Sequence, residues 1–215
     1  MLEQLNQAIT AQQWGACAET CFQILYGLPV ELQQNLAIMM IRRYLPVFEA
    51  TCPTVIWPRQ ILHDPGQWQA VHGRTFPDTS NSEKADMATA AFRSCFSGLL
   101  LTYSYPNNPF TVTSACCYAI NEAINAQQIQ RWQTDDPTAY QHWTQNDFSL
   151  WPERAMHNNQ AVIAVRSQAW QVVTAWFHEQ TVWQYPAPTE IDVPSLEQAL
   201  SDWRRNHMLI TVPAP

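Results

Sequence analysis

Two apolar stripes with a helical period, within residues 85–132, constrain the fold of this chain more than any other feature. In each stripe apolar residues recur at steps of three and four, which places them on one side of a helix. Residues 104–109 lie between the stripes and contain two prolines and two asparagines, which is typical of a turn. The pattern therefore predicts a helical hairpin. Its stripes are Ala88, Ala91, Phe92, Cys95, Leu99 and Tyr103 in the first helix, and Val112, Ala115, Cys116, Ala119, Ile120, Ala123 and Ile124 in the second.

Helical stripes also precede this hairpin. Residues 2–27 are predicted as two helices with a turn at residues 10–13. Pro29 can open the next helix, because proline is tolerated in the first turn. Within that helix Pro46 is predicted to kink or end it, and Cys52–Pro53 closes the element.

Residues 53–82 form an irregular segment that either crosses the helical core or marks a boundary. The segment contains four prolines and has no long period. Short helical turns are expected at residues 58–63 and 65–71, with Asp64 as the cap of the second.

The helical signals resume after the central hairpin. Asp136 before Pro137 predicts a helix start, with the carboxylate as cap and proline at the first helical position. A further helix is expected at residues 160–180. A C-terminal helix and tail occupy about residues 186–215, in which residues 208–212 are either a short strand or an ordered tail.

These patterns predict an all-α fold. We expect a single helical domain over residues 1–215, built as a bundle of about seven to nine helices with long proline-rich irregular loops. Apolar residues make up 47% of the chain, which is enough to bury a core.

Composition and charge exclude several function classes. The net charge is −7 and lysine occurs once, which argues against a nucleic-acid partner because phosphate binding needs basic clusters. The chain has no apolar run of membrane-spanning length, and its first residues lack a basic region followed by an apolar one. We therefore expect a cytoplasmic protein without a membrane partner.

The six cysteines are predicted to be free and buried, as is usual in a reducing compartment. Cys17 and Cys21 are one helical turn apart and could share a zinc ion. However, no second ligand pair lies near them in sequence, so core packing is favoured. Cys116 and Cys117 point to two faces of one helix, one toward the core and the other toward an interface.

The sequence contains no complete catalytic motif among those considered for a helical protein. His63–Asp64 resembles the pair used by helical HD phosphohydrolases, but no histidine precedes it to serve as the upstream metal ligand. Zinc-protease, nucleophile-elbow and phosphate-loop patterns are absent. We assign no catalytic, cofactor-binding or metal-binding residue, and no cofactor. An α-helical hydrolase with histidine and aspartate residues gathered from separate helices stays open as an alternative.

Acidic and aromatic residues alternate after the central hairpin. Tryptophan is enriched at the energetic centres of protein interfaces, and this chain has ten. Such a surface could receive a basic protein partner or a sugar, whereas the alternative is that the rings pack beneath the loops. The predicted partner-binding residues are Trp132, Asp135, Asp136, Tyr140, Trp143 and Asp147.

Residues 96–105, 113–124 and 132–137 resemble helical immunity proteins of bacterial secreted-toxin systems. The resemblance implies a cytosolic protein that occludes a toxin or effector domain encoded beside it. The leading hypothesis is therefore a binding protein that neutralises a protein partner, rather than an enzyme. A helical adaptor or chaperone, suggested by the hairpin at residues 2–27, is the second alternative.

Overall fold

A computed structural model of the chain describes residues 1–77, 87–146 and 158–183, together with Gln198, Ser201 and Asp202. In these ranges the chain forms helices and no strand, so the all-α prediction is confirmed. The predicted strand or tail at residues 208–212 lies outside them. The helices are α1 (Leu2–Thr10), α2 (Trp14–Tyr26), α3 (Val30–Thr51), α4 (Trp57–His63), α5 (Pro65–His72), α6 (Met87–Ser104), α7 (Pro109–Asp135), α8 (Pro137–Asn146) and α9 (Gln160–Trp183).

The predicted central hairpin is formed by α6 and α7, and α7 is the central helix of the bundle. Besides α6, the helices α2, α3, α8 and α9 pack against it. Its residues Ala115, Cys116 and Cys117 are consecutive and all buried. A helix that is covered on every side needs apolar residues all round. The expectation that one thiol of Cys116–Cys117 faces an interface is therefore wrong, since both lie in the core.

Helix α3 does not end at Pro46. It continues to Thr51, and Cys52 follows as its C-terminal cap, as the Cys52–Pro53 pair predicts. Proline removes one backbone hydrogen bond from a helix and costs about 3 kcal/mol. Tyr44 and Phe48, on either side of Pro46, are both buried. Their packing offsets the cost of the proline.

The predicted turns in the irregular segment are the helices α4 and α5. Asp64 separates them, and its Oδ1 accepts a hydrogen bond of 2.8 Å from the backbone N–H of Gln67. Asp64 therefore caps α5 as predicted. Trp57 is the first residue of α4, and Trp68 lies within α5. Their side chains are 3% and 8% exposed, so both rings belong to the core.

Buried amide and hydroxyl groups join α3 to the central hairpin. The Gln34 Nε2 donates to Thr102 Oγ1 on α6 over 3.1 Å. The Thr113 hydroxyl on α7 donates to Gln33 Oε1 over 2.9 Å, and the Gln33 Nε2 donates to the Leu28 carbonyl over 2.8 Å. Buried polar groups that are paired in this way specify how neighbouring helices align.

Helices α1 and α9 pack against one another. On α1 the buried residues are Leu5, Ala8 and Ile9. Near the C-terminus, Gln198 Nε2 donates to Asp202 Oδ1 over 3.0 Å at helical spacing, in agreement with the helix predicted there. None of the helices in the described ranges is both long and apolar enough to cross a membrane.

Candidate functional site

The predicted partner-binding residues begin at the corner where α7 ends and α8 begins. Asp136 forms this corner because it makes one hydrogen bond at the end of α7 and another at the start of α8. Its backbone N–H donates to the Trp132 carbonyl over 2.9 Å, which closes α7. Its Oδ1 accepts from the backbone N–H of Ala139 over 3.0 Å, which caps α8. The carboxylate lies at a helix N-terminus, where the helix dipole favours negative charge.

Two of the predicted aromatic rings support the corner from beneath. Trp132 is 2% exposed and Tyr140 is 8% exposed. The rings meet edge to face, with their centroids 5.5 Å apart and their planes at 88°. This is a favoured aromatic geometry that adds to the energy of burial. The rings therefore lie in the core and not on the surface.

The acidic residues of the corner are accessible. Asp135 Oδ2 accepts a hydrogen bond of 2.8 Å from Arg131 Nε, one helical turn earlier. An exposed ion pair of this kind contributes little to stability. Trp143 lies on α8, but its side chain and Asp147 are outside the described part. The structure thus joins Trp132, Asp135, Asp136 and Tyr140 in one corner, and their role in partner binding stays a prediction.

A second surface of interest is a groove between α1 and α2, with a volume of about 350 Å³. The sequence does not predict this groove, because each helix pattern shows only its own polar face and the fold brings the two faces together. Polar side chains, mostly glutamines, form the rims of the groove, and small side chains form its floor. Its lining residues are Gln4, Gln7, Ala8, Ala11, Gln13, Ala16, Glu19, Thr20 and Gln23.

The cysteines are buried and none forms a disulfide. Burial raises the pKa of Cys17 to about 12, and the nearby Arg166 guanidinium only partly opposes this. Burial also raises the pKa of Cys95, Cys116 and Cys117. Cys117 shares a hydrogen bond with Cys21 across the α2–α7 interface. Because the thiolate is the nucleophile, these protonated thiols have the properties of packing residues.

The histidines in the described part lie on exposed positions of four different helices, at His63, His72, His142 and His178. Within that part, no three side chains of histidine, cysteine, aspartate or glutamate are arranged to hold a metal ion. The His63–Asp64 pair is accounted for locally, since Asp64 caps α5.

No protein-family model, curated protein or solved structure matches this chain.

Proposed function

We propose that this protein is a cytoplasmic binding protein that neutralises a protein partner by occlusion, as bacterial immunity proteins do to the toxins encoded beside them. The observation that carries the proposal is the α7–α8 corner, where Asp135 and Asp136 are held by a hydrogen-bonded turn above two buried rings. Groups that are already ordered lose little conformational entropy when a partner binds.

The charge of the molecule supports a basic partner. The net charge of −7 attracts a cationic surface over a distance and accelerates the encounter. A partner that docks on the corner would meet two carboxylates at defined positions. We expect a one-to-one complex with a dissociation constant on the order of 1 nM, as in other occluding complexes.

The binding test uses the purified full chain and the protein encoded by the adjacent gene. Co-expression should protect cells from that protein if it is toxic, and calorimetry should give one-to-one binding. If the two proteins neither bind nor protect, the proposed function is lost.

The charge test uses Asp136→Asn, because asparagine is as good a helix cap as aspartate and only the charge changes. Asp64→Asn is the matched control, since Asp64 is also an exposed capping residue, on α5. We expect Asp136→Asn to slow association and weaken binding about tenfold, and Asp64→Asn to leave binding unchanged. Equal effects of the two substitutions would show that the partner does not bind at the α7–α8 corner.

A hydrolase is the alternative from another class. It would need histidine and aspartate side chains from separate helices to converge. Hydrolysis of a small-substrate panel, with activity lost on histidine substitution, would favour it over the binding protein.

A further inference from the structure

Four cysteines lie together where α2 packs against α7. Cys17 and Cys21 are one helical turn apart on α2, and Cys116 and Cys117 are consecutive on α7. All four side chains are at most 1% exposed. Cys21 interacts electrostatically with each of the other three thiols. The α2–α7 interface therefore contains a thiol cluster centred on Cys21.

Cys21 and Cys117 are in direct contact within this thiol cluster. Burial, and then a hydrogen bond between the two side chains, raise the pKa of Cys117. Because this bond favours the protonated form of Cys117, its thiol is the donor and Cys21 Sγ is the acceptor. A disulfide has an S–S bond of about 2.0 Å, so its formation requires two sulfurs that already point toward each other to approach further.

Pairs of cysteines within one helix do not fit a disulfide. Cβ atoms four residues apart on a helix are separated by about 5–6 Å, whereas a disulfide needs about 3.5–4.5 Å. Cys17 and Cys21 therefore cannot be bridged without distortion of α2. Successive residues of a helix point in directions about 100° apart, which disfavours Cys116 with Cys117. The pairs that remain join α2 to α7, and Cys21 with Cys117 is the hydrogen-bonded one.

The other two cysteines belong to different parts of the bundle. Cys95 lies on α6, and its thiol donates to the Phe92 carbonyl over 2.7 Å. Cys52 is the C-terminal cap of α3. Cys95 is 0% exposed, so it matches Cys21 in burial but bonds to a carbonyl and not to a thiol. This difference makes Cys95 the natural control.

We propose that hydrogen peroxide joins Cys21 and Cys117 in a reversible disulfide that fixes α2 to α7. The thiols are buried, so the reaction proceeds through local opening of α2, which packs chiefly against α1 and α7. This cross-link does not depend on occlusion of a partner, so it can succeed or fail separately from the proposed function.

The reaction consumes one peroxide for each disulfide. On opening, Cys21 loses its proton, and its sulfur attacks a peroxide oxygen. An S–O bond forms, the O–O bond breaks, and the hydroxide that leaves recovers the proton as water. The sulfur of Cys117 then attacks the sulfenic sulfur of Cys21, and the sulfenic hydroxyl leaves with the Cys117 proton as a second water. The two sulfurs lose two electrons in total, and peroxide gains them.

The disulfide should stabilise the fold. It closes a loop of roughly 100 residues, and a cross-link of this length restricts the unfolded chain. We expect the melting temperature to rise by roughly 5–15 °C on oxidation and to return to its initial value after reduction with dithiothreitol.

The test uses the reduced, purified full chain and millimolar hydrogen peroxide. After oxidation the protein is unfolded in guanidinium with N-ethylmaleimide, and its intact mass is measured. We expect two fewer alkylated thiols than before oxidation, and a monomer on a non-reducing gel. Tandem mass spectrometry of chymotryptic peptides should place the cross-link between Cys21 and Cys117, without any substitution in the chain.

Substitutions assign the cross-link independently. Cys21→Ala and Cys117→Ala should each abolish it, together with the rise in melting temperature. Cys95→Ala is the matched control and should retain both. The double substitution Cys17→Ala with Cys116→Ala should also retain both, because it leaves the hydrogen-bonded pair in place. Circular dichroism verifies that each variant is folded.

Three results would overturn the proposal. In the first, peroxide leaves every thiol of the unsubstituted chain open to alkylation, or converts thiols to sulfinic acids without a cross-link. In the second, the cross-link joins other cysteines or two copies of the chain. In the third, the cross-link forms but the melting temperature does not rise, which would show that it does not fix α2 to α7 in the native arrangement.

Discussion

At the residue scale, Gly98 lies where α6 and α7 are in close contact. A Cβ atom added there would lie 3.0 Å from the Ala115 carbonyl oxygen and 3.1 Å from the Ala119 nitrogen. These are backbone atoms of the central helix, and they cannot move aside independently. The small residues at positions 115 and 119 are thus part of a close helix contact.

We expect Gly98→Ala to lower the free energy of unfolding by about 1–3 kcal/mol, the usual cost of overpacking a core. Gly15→Ala is the matched control, because nothing lies within 4 Å of its added Cβ. Since Gly15 is inside α2, alanine there should raise stability by about 0.4–1 kcal/mol. Urea unfolding of both variants measures the difference. Equal stabilities would show that α6 and α7 are less closely packed than described.

At the element scale, the contact of α3 with the central hairpin combines apolar burial with paired amides. Gln33 and Gln34 are adjacent on α3 and are 2% and 8% exposed. Because they are adjacent, they point in different directions, and each reaches a threonine on a different helix. The two bonds orient α3 relative to both helices of the hairpin. Sequence periodicity alone does not predict such pairs.

Thr113→Val tests this orientation. Valine has nearly the shape of threonine but cannot donate a hydrogen bond, so Gln33 Oε1 would lose its buried donor. We expect a loss of about 1–3 kcal/mol in the free energy of unfolding. Thr111→Val, on the same helix and only half-buried, should change stability by less than about 0.5 kcal/mol. Similar losses in both variants would argue against the buried bond.

At the scale of the whole molecule, the free energy of unfolding should fall at alkaline pH because the buried thiols resist ionisation. Burial raises the pKa of Cys17 from 9.0 to about 12, and it raises the pKa of Cys95, Cys116 and Cys117 as well. In the unfolded chain these thiols ionise near pH 9, while in the folded protein they stay protonated. Their contribution is therefore complete below pH 9 and is lost as the pH rises toward 12.

We expect the free energy of unfolding to fall above pH 9, by at most roughly 1.4 kcal/mol per pH unit for each buried thiol. Urea unfolding at pH 7, 8, 9 and 10 under reducing conditions measures this dependence. Cys17→Ala should reduce the slope, because it removes one of the ionising groups. A stability that stays constant up to pH 10 would contradict the burial of these thiols.

The agreement between pattern and structure was close for the helices and weaker for the site. The central hairpin, the hairpin of α1 and α2, and the caps at Asp64 and Asp136 follow from local spacing and capping chemistry. Pro46 shows the limit of local rules, because burial on both sides keeps α3 helical through it. The single-domain boundaries stay a prediction.

The sequence by itself determined the helices, because apolar period, proline position and side-chain caps act over a few residues. Only the tertiary structure decided which faces were buried. It placed Trp132 and Tyr140 beneath the α7–α8 corner, covered both thiols of Cys116–Cys117, and turned two glutamine-bearing faces into one groove. The physical reason is that burial depends on which helices become neighbours, and that is set by packing between residues distant in sequence.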